Sequence, residues 1–219
     1  MQEELNFEDP KFRAILDKTL ELFREFGIRS LNMDDISRSL GISKKTLYQY
    51  VKSKEDLIEK LFYYDEKKWD AKFSELKFEE LNAIEVLLKA SLMVAEEMSK
   101  LDTKTRFELK KYYEPIFNQF LNRKQGYIFN QMSENIQKGI NEGLYRSDLN
   151  VELVAAFYVK NLLDLHTKEY CLVENITFDE VIEALIEGHI RAISTAEGIA
   201  YFERRKSEIT QLNKNINNQ

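Results

Sequence analysis

The sequence predicts an all-α protein with two helical domains. Gly and Pro, which most often mark the turns of β-sheet proteins, occur only seven and two times among 219 residues. Apolar residues instead recur every three or four positions over long stretches, as they do along one face of an amphipathic helix. A chain of this length is large enough to bury a core without a disulfide or a structural metal.

The composition excludes several classes of protein. The single cysteine, Cys171, rules out an internal disulfide and a cysteine-rich zinc site, and we expect it to be inert rather than redox-active. A net charge of −6 argues against a protein uniformly coated by nucleic acid or anionic lipid. We find no run of 18 apolar residues, no Gly-rich phosphate loop and no nucleophile elbow. We therefore expect a cytoplasmic protein that is not an enzyme, with no catalytic residues, cofactor, metal or membrane partner.

Capping signals place four helix starts within the first 55 residues. Asp9 followed by Pro10 suits the start of a first helix. Asn32 and a carboxylate three residues later form a capping pattern for a second, and Ser43 precedes a third. A fourth begins near Lys54. The predicted helices cover residues 10–26, 32–40, 44–50, 54–76, 79–100, 102–113, 116–141, 151–170 and 178–197, and helix can continue to about residue 212.

The second and third helices, joined by a tight turn at 41–43, form a helix-turn-helix pattern. In that arrangement the later helix enters the major groove of DNA. The segment 36–54 contains five basic residues and no acidic one, which suits contact with phosphates in an otherwise acidic protein. We expect the helices to share a small core formed by Ile36, Leu40, Ile42, Leu47 and Val51, packed against Phe23 and Phe26.

Residues 10–60 closely resemble the N-terminal domain of TetR-family transcriptional regulators, which are bacterial dimeric repressors or, less often, activators. The specific part of the match is Gly-x-Ser-Lys-x-Thr-Leu-Tyr at 41–48, followed by Ser-Lys-Glu at 53–55. Lys45 departs from the Gly often found there, Val51 from the usual Phe and Ser37 from the usual Ala. The resemblance implies that DNA is contacted by Lys44, Lys45, Thr46, Tyr48, Gln49, Tyr50 and Lys54, with Tyr50 and Lys54 mainly on phosphates.

The same resemblance implies roles for the C-terminal helices. Family members usually enclose a ligand among the middle helices, and here those helices are rich in aromatic residues. Such rings are more often plain core than the wall of a pocket. The last two long helices usually form a four-helix dimer interface, although their apolar stripes also suit packing within one chain. The ligand-binding candidates are Trp69, Tyr113, Phe117, Phe120 and His166, and the dimer candidates are Phe157, Leu162, Leu185, His189 and Ile193.

The sequence thus predicts a dimeric, sequence-specific, DNA-binding transcriptional regulator. The resemblance implies in addition that it is a repressor released by a small and mostly apolar effector. Its expected partners are a double-stranded DNA operator, a second copy of the chain and the effector. We expect a helix-turn-helix domain at 1–53, a larger helical bundle for dimerisation and ligand binding at 54–212, and a frayed tail at 213–219. The alternative is a helical ligand- or partner-binding dimer that no longer binds DNA.

Overall fold

The computed structural model describes residues 7–75, 77–99, 103–164 and 176–216, and it confirms the all-α fold. Within these ranges the only β pairing is one isolated bridge, between Tyr145 and Ser194. A 3₁₀ turn, Phe78–Glu80, precedes the fifth helix. The α-helices are α1 (Pro10–Phe26), α2 (Met33–Ser39), α3 (Lys44–Leu47), α4 (Lys54–Glu75), α5 (Ala83–Ser99), α6 (Thr103–Tyr112), α7 (Glu114–Asn141), α8 (Val151–Asp164), α9 (Phe178–Ile193) and α10 (Ala196–Ile216).

The chain divides into two compact units. The first comprises Met1–Leu76 and Lys100–Arg123, and the second comprises Lys77–Ser99 and Lys124–Gln219. The first unit therefore contains the helix-turn-helix segment together with α4, α6 and the beginning of α7. The second contains α5, the rest of α7, α8, α9 and α10.

The core of the first unit forms largely as the apolar pattern predicts. Asp9 caps α1 by accepting a hydrogen bond from the Lys11 amide at 2.8 Å. Phe26 is an exception, because the expectation that it lies in the core is wrong and its side chain is 45% exposed. The chain turns at Gly27, whose φ is +84°. Ile28, only 1% exposed, then fills the core beside Phe12, Leu16, Phe23, Ile36, Leu47, Val51 and Leu57.

In the second unit α9 packs against α5, α8 and α10. The segment that joins α7 to α8 lies against the end of α9. The Arg146 amide donates to the carbonyl of Ile193 at 2.9 Å, and the Thr195 amide donates to the carbonyl of Leu144 at 3.0 Å. These long-range bonds end α9 at Ile193, four residues earlier than predicted, and α10 then begins at Ala196.

Two further helix boundaries differ from the prediction. The fifth helix begins at Ala83 rather than at residue 79, because a 3₁₀ turn occupies the intervening segment. The third helix ends at Leu47, and residues 48–50 continue as turns. The last part of the helix predicted at 151–170 lies outside the described residues.

Candidate nucleic-acid interface

The first helix of the helix-turn-helix segment is fixed at both ends. The Asn32 side chain accepts hydrogen bonds from the amides of Asp34 (2.8 Å) and Asp35 (3.0 Å), and the Asp35 carboxylate accepts from the Asn32 amide at 3.1 Å. This completes the predicted capping box. At the other end Gly41 has a φ of +65°, a backbone conformation that other residues adopt only with strain. The turn to α3 is therefore set by local chemistry.

The second helix, α3, is short and anchored on one side. Ser43 caps it by accepting a hydrogen bond from the Thr46 amide at 3.0 Å. Leu47 is fully buried and Val51 is 1% exposed, so the apolar side of the segment is locked into the core. A buried side at Leu47 leaves the opposite side of α3 facing solvent.

Four of the predicted DNA-contacting residues are exposed around this buried anchor, two on α3 and two in the turn that follows it. Lys44, Lys45, Tyr48 and Gln49 are all exposed, and Tyr48 is 42% exposed rather than part of the core. Thr46 is half-buried, and its hydroxyl lies 2.7 Å from that of Ser43. We call the five residues Lys44, Lys45, Thr46, Tyr48 and Gln49 the recognition face. It offers ammonium, hydroxyl and amide groups, which suit phosphate and base-edge contacts.

Tyr50 and Lys54, also predicted to contact DNA, point their polar groups into the protein. The Tyr50 hydroxyl donates to the Asp9 carboxylate at 3.1 Å, and its ring stacks on Phe12 with centroids 5.3 Å apart. The Lys54 ammonium donates to the carbonyl of Ile28 at 2.6 Å and to that of Leu31. Burial lowers the pKa of Lys54 below its ordinary value. These contacts connect the segment between α1 and α2 to the start of α4.

Sequence reasoning missed the contribution of α6 to this unit. Lys104 and Thr105 donate to the carbonyls of Phe26 (3.2 Å) and Phe23 (3.1 Å) at the end of α1. The Glu108 carboxylate accepts from the Arg29 amide at 2.9 Å. About 80 residues separate the partners in each pair. No local pattern could have revealed these contacts.

Four of the five predicted ligand-binding residues lie in the first unit. Phe117 is buried in its core, and Tyr113 and Phe120 pack against that core. The Phe120 ring also stacks on Phe62, with centroids 4.3 Å apart. Trp69 is half-buried on α4, and its ring lies near that of Phe73, with centroids 6.0 Å apart. His166 and Cys171 lie outside the described residues.

The predicted dimer residues have different environments within one chain. Leu162 (8% exposed) and Ile193 (3%) are buried in the core of the second unit. Leu185 and His189 are partly buried. Phe157 is 61% exposed. Only Phe157 therefore has most of its side chain available to a partner.

In the part of the chain that the structure describes, no three His, Cys, Asp or Glu side chains converge as they would around a metal ion. No helix of these residues combines the length and the apolar character that a membrane span requires.

A short helix presented behind a glycine turn, with basic and polar side chains facing outward, defines a helix-turn-helix DNA-binding regulator. Residues 15–61 match the family described as bacterial regulatory proteins, tetR family. These residues therefore carry the N-terminal DNA-binding domain of the TetR family of transcriptional regulators.

Known proteins resemble the chain over most of its length. The uncharacterised HTH-type transcriptional regulator YvaF of Bacillus subtilis (strain 168) is 27% identical over 192 residues, which cover 84% of this chain and 96% of YvaF. A transcriptional regulator from Cytophaga hutchinsonii ATCC 33406 superposes with a TM-score of 0.72 at 18% identity, covering 85% of this chain and all of the other. A TetR transcription regulator from Haloarcula marismortui ATCC 43049 gives 0.68 at 19% identity, covering 86% and 100%. At these identities, the similarities to the Cytophaga hutchinsonii and Haloarcula marismortui structures show a shared fold.

Proposed function

We propose that this regulator is a homodimeric repressor that binds a roughly palindromic operator through the recognition face and is released by a small, mostly apolar effector. The observation that carries the DNA-binding part is the geometry of α3. Leu47 is buried, while Lys44 and Lys45 on α3 and Tyr48 and Gln49 in the turn that follows it are exposed. The alternative, a dimer that has lost DNA binding, gives no reason for this cluster of exposed basic and polar groups.

Two substitutions on the recognition face distinguish contacts to phosphates from contacts to base edges. Lys45→Ala removes an exposed ammonium, so we expect weaker binding to every sequence and a shallower dependence of log affinity on log salt, by about one for each lost phosphate contact. Gln49→Ala is expected to change which base is preferred at one position, by about 1–3 kcal/mol. Fluorescence anisotropy with labelled duplexes at several salt concentrations measures both.

The matched control is Lys89→Ala, which removes a lysine from α5 in the second unit. This variant is expected to bind DNA as the unaltered chain does. If Lys45→Ala and Gln49→Ala also bind as the unaltered chain does, the recognition face is not the docking surface. If the unaltered chain binds no duplex selectively, the alternative function is supported.

The surface that best supports homodimer formation lies on α8 and α9. Leu153 (51% exposed) and Phe157 (61%) are four residues apart on α8, so they share a face. On α9 the exposed residues include Ala184, Gly188 and Ala192, also spaced by four. Small residues let two helices approach closely, and the exposed apolar pair gains most from being covered. A two-fold dimer would present two recognition faces to the two half-sites of an operator.

The dimer proposal predicts that Gly188→Leu yields a monomer. A Cβ at Gly188 meets no atom within 4 Å inside the chain, so the larger side chain is expected to leave the fold intact while blocking the approach of a second α9. Gly126→Leu is the control, because Gly126 is also helical and equally unobstructed but lies on α7. Sedimentation velocity distinguishes the two states. A Gly188→Leu variant that remains dimeric would place the interface elsewhere.

We propose that residues 1–53 bind DNA and that residues 54–212 form the dimer and bind the effector. Effector binding is supported by the aromatic residues Tyr113, Phe117 and Phe120, whose rings lie in or against the core that also holds the helix-turn-helix segment. Lys104 and Thr105 connect α6 directly to the end of α1. A ligand that binds one arrangement of these helices better than the other would shift the orientation of α3 and release DNA.

A further inference from the structure

An acidic side chain accompanies the recognition face. Asp34, on the first turn of α2, lies with its Oδ1 2.9 Å from the ammonium of Lys44, the first residue of α3. Roughly half of each side chain is exposed (51% for Lys44 and 56% for Asp34). The hydrogen bond from Lys44 to Asp34 raises the pKa of the lysine, so the ammonium stays protonated. Each protomer thus carries a carboxylate beside the first residue of its candidate recognition helix.

The Asp34 carboxylate contributes little to the stability of the fold. The capping of α2 is performed by Asn32 and Asp35, and Asp34 contributes to it only its backbone amide. The Asp34 carboxylate forms an exposed ion pair with Lys44, and a pair of this kind adds little stability. On a surface that binds phosphates, its negative charge also weakens the attraction to any duplex.

We propose that Asp34 is a specificity-determining residue, which accepts a hydrogen bond from the N4 amine of one operator cytosine while Lys44 stays beside it. The inference rests on the proposed DNA-binding function. Residues at the N-terminal end of a recognition helix approach the base edges, and the 2.9 Å contact keeps Asp34 next to the first of them. An ionised carboxylate only accepts hydrogen bonds, and in the major groove cytosine offers the matching donor.

The same chemistry makes other bases unfavourable. Guanine and the O4 of thymine present acceptors to the major groove, and adenine presents its amine beside the N7 acceptor. Binding to unrelated DNA rests almost wholly on phosphates, which repel the carboxylate. Asp34 therefore lowers the affinity for unrelated DNA more than the affinity for the operator.

The test compares the full-length chain with Asp34→Ala, using an operator selected by the unaltered protein, its single-base variants and an unrelated duplex. Asp34→Ala is expected to bind the unrelated duplex about five-fold more tightly, as for loss of one unit charge a few ångströms away in water. The preference for cytosine at one position of each half-site, expected to be about ten-fold, is lost. The thermal midpoint should fall only slightly, because the variant loses an exposed ion pair and a charge in the first turn of α2 but no side-chain cap of that helix.

Asp148→Ala is the charge-matched control, since this carboxylate is 75% exposed in the second unit. It is expected to keep the cytosine preference and the affinity for unrelated DNA. If Asp34→Ala keeps the same base preference at every position, the inference is wrong, although the regulator still binds DNA. If the unaltered chain selects no sequence, the proposed function itself fails.

Discussion

Gly198→Ala is expected to lower the free energy of unfolding of the second unit by about 3 kcal/mol or more. A Cβ at this position would lie 2.1 Å from the carbonyl oxygen of Leu144, far inside van der Waals contact. That oxygen cannot move away freely, because it accepts a hydrogen bond from the Thr195 amide at 3.0 Å. The Thr195 hydroxyl also donates to the carbonyl of Gly143 at 2.9 Å. The clash would therefore break the contacts that join the α7–α8 segment to the start of α10.

Gly126→Ala is the matched control for this substitution. Gly126 lies within α7, and a Cβ there meets no atom within 4 Å. Alanine restricts the unfolded chain more than glycine, so this variant is expected to gain roughly 0.5–1 kcal/mol. Urea denaturation followed by circular dichroism at 222 nm measures both. If Gly198→Ala and the unaltered chain unfold at the same urea concentration, the α7–α8 segment accommodates the added methyl group without loss of stability, and the prediction is wrong.

The second large effect is a loss of stability in acid that depends on His189. Its Nε2 atom is buried without a hydrogen-bond partner among the described residues, and its ring packs on Tyr158 with centroids 4.7 Å apart. Burial lowers the pKa of His189 from 6.5 to about 4. As the pH falls below 6.5, His189 is therefore protonated in the unfolded chain, whereas in the folded chain it stays neutral until about pH 4. Between these values stability falls as pH falls, by about 3 kcal/mol in total.

His189→Phe isolates this contribution, because it keeps an aromatic ring against Tyr158 and cannot take up a proton. The carboxylates of the protein also titrate in acid, so the informative quantity is the difference in free energy of unfolding between the two proteins. We expect this difference to change by about 3 kcal/mol between pH 7 and pH 4 and to stay constant above pH 7. If the free energies of unfolding of the two proteins differ by the same amount at every pH, His189 is not held neutral by burial.

The helices near the N-terminus were predictable because their signals are local. Asp9, Asn32 and Ser43 each cap a helix within three residues of themselves, and Gly41 provides the positive φ of the turn. The periodic apolar positions then identify the buried side of α1. These features depend on a few neighbouring residues, so the sequence alone carries them.

The remaining features depend on contacts distant in sequence. The end of α9 is set by bonds from Arg146 and Thr195 to residues about 50 positions away. The resemblance implies that Lys54 contacts DNA phosphates, but no local pattern indicates that its ammonium donates to the carbonyls of Ile28 and Leu31. Phe26 follows the apolar rhythm of α1 and is nevertheless exposed, because the chain turns immediately after it.

The most direct test of the account is selection of binding sites from a pool of random duplexes by the purified full-length chain. If α3 reads the major groove and the chain is a two-fold dimer, the selected sequences will contain two inverted half-sites. Their centres will lie about 34–36 Å apart, one helical turn, or a multiple of it. Recovery of the pool without enrichment of any sequence would contradict the central claim that the exposed side of α3 recognises DNA.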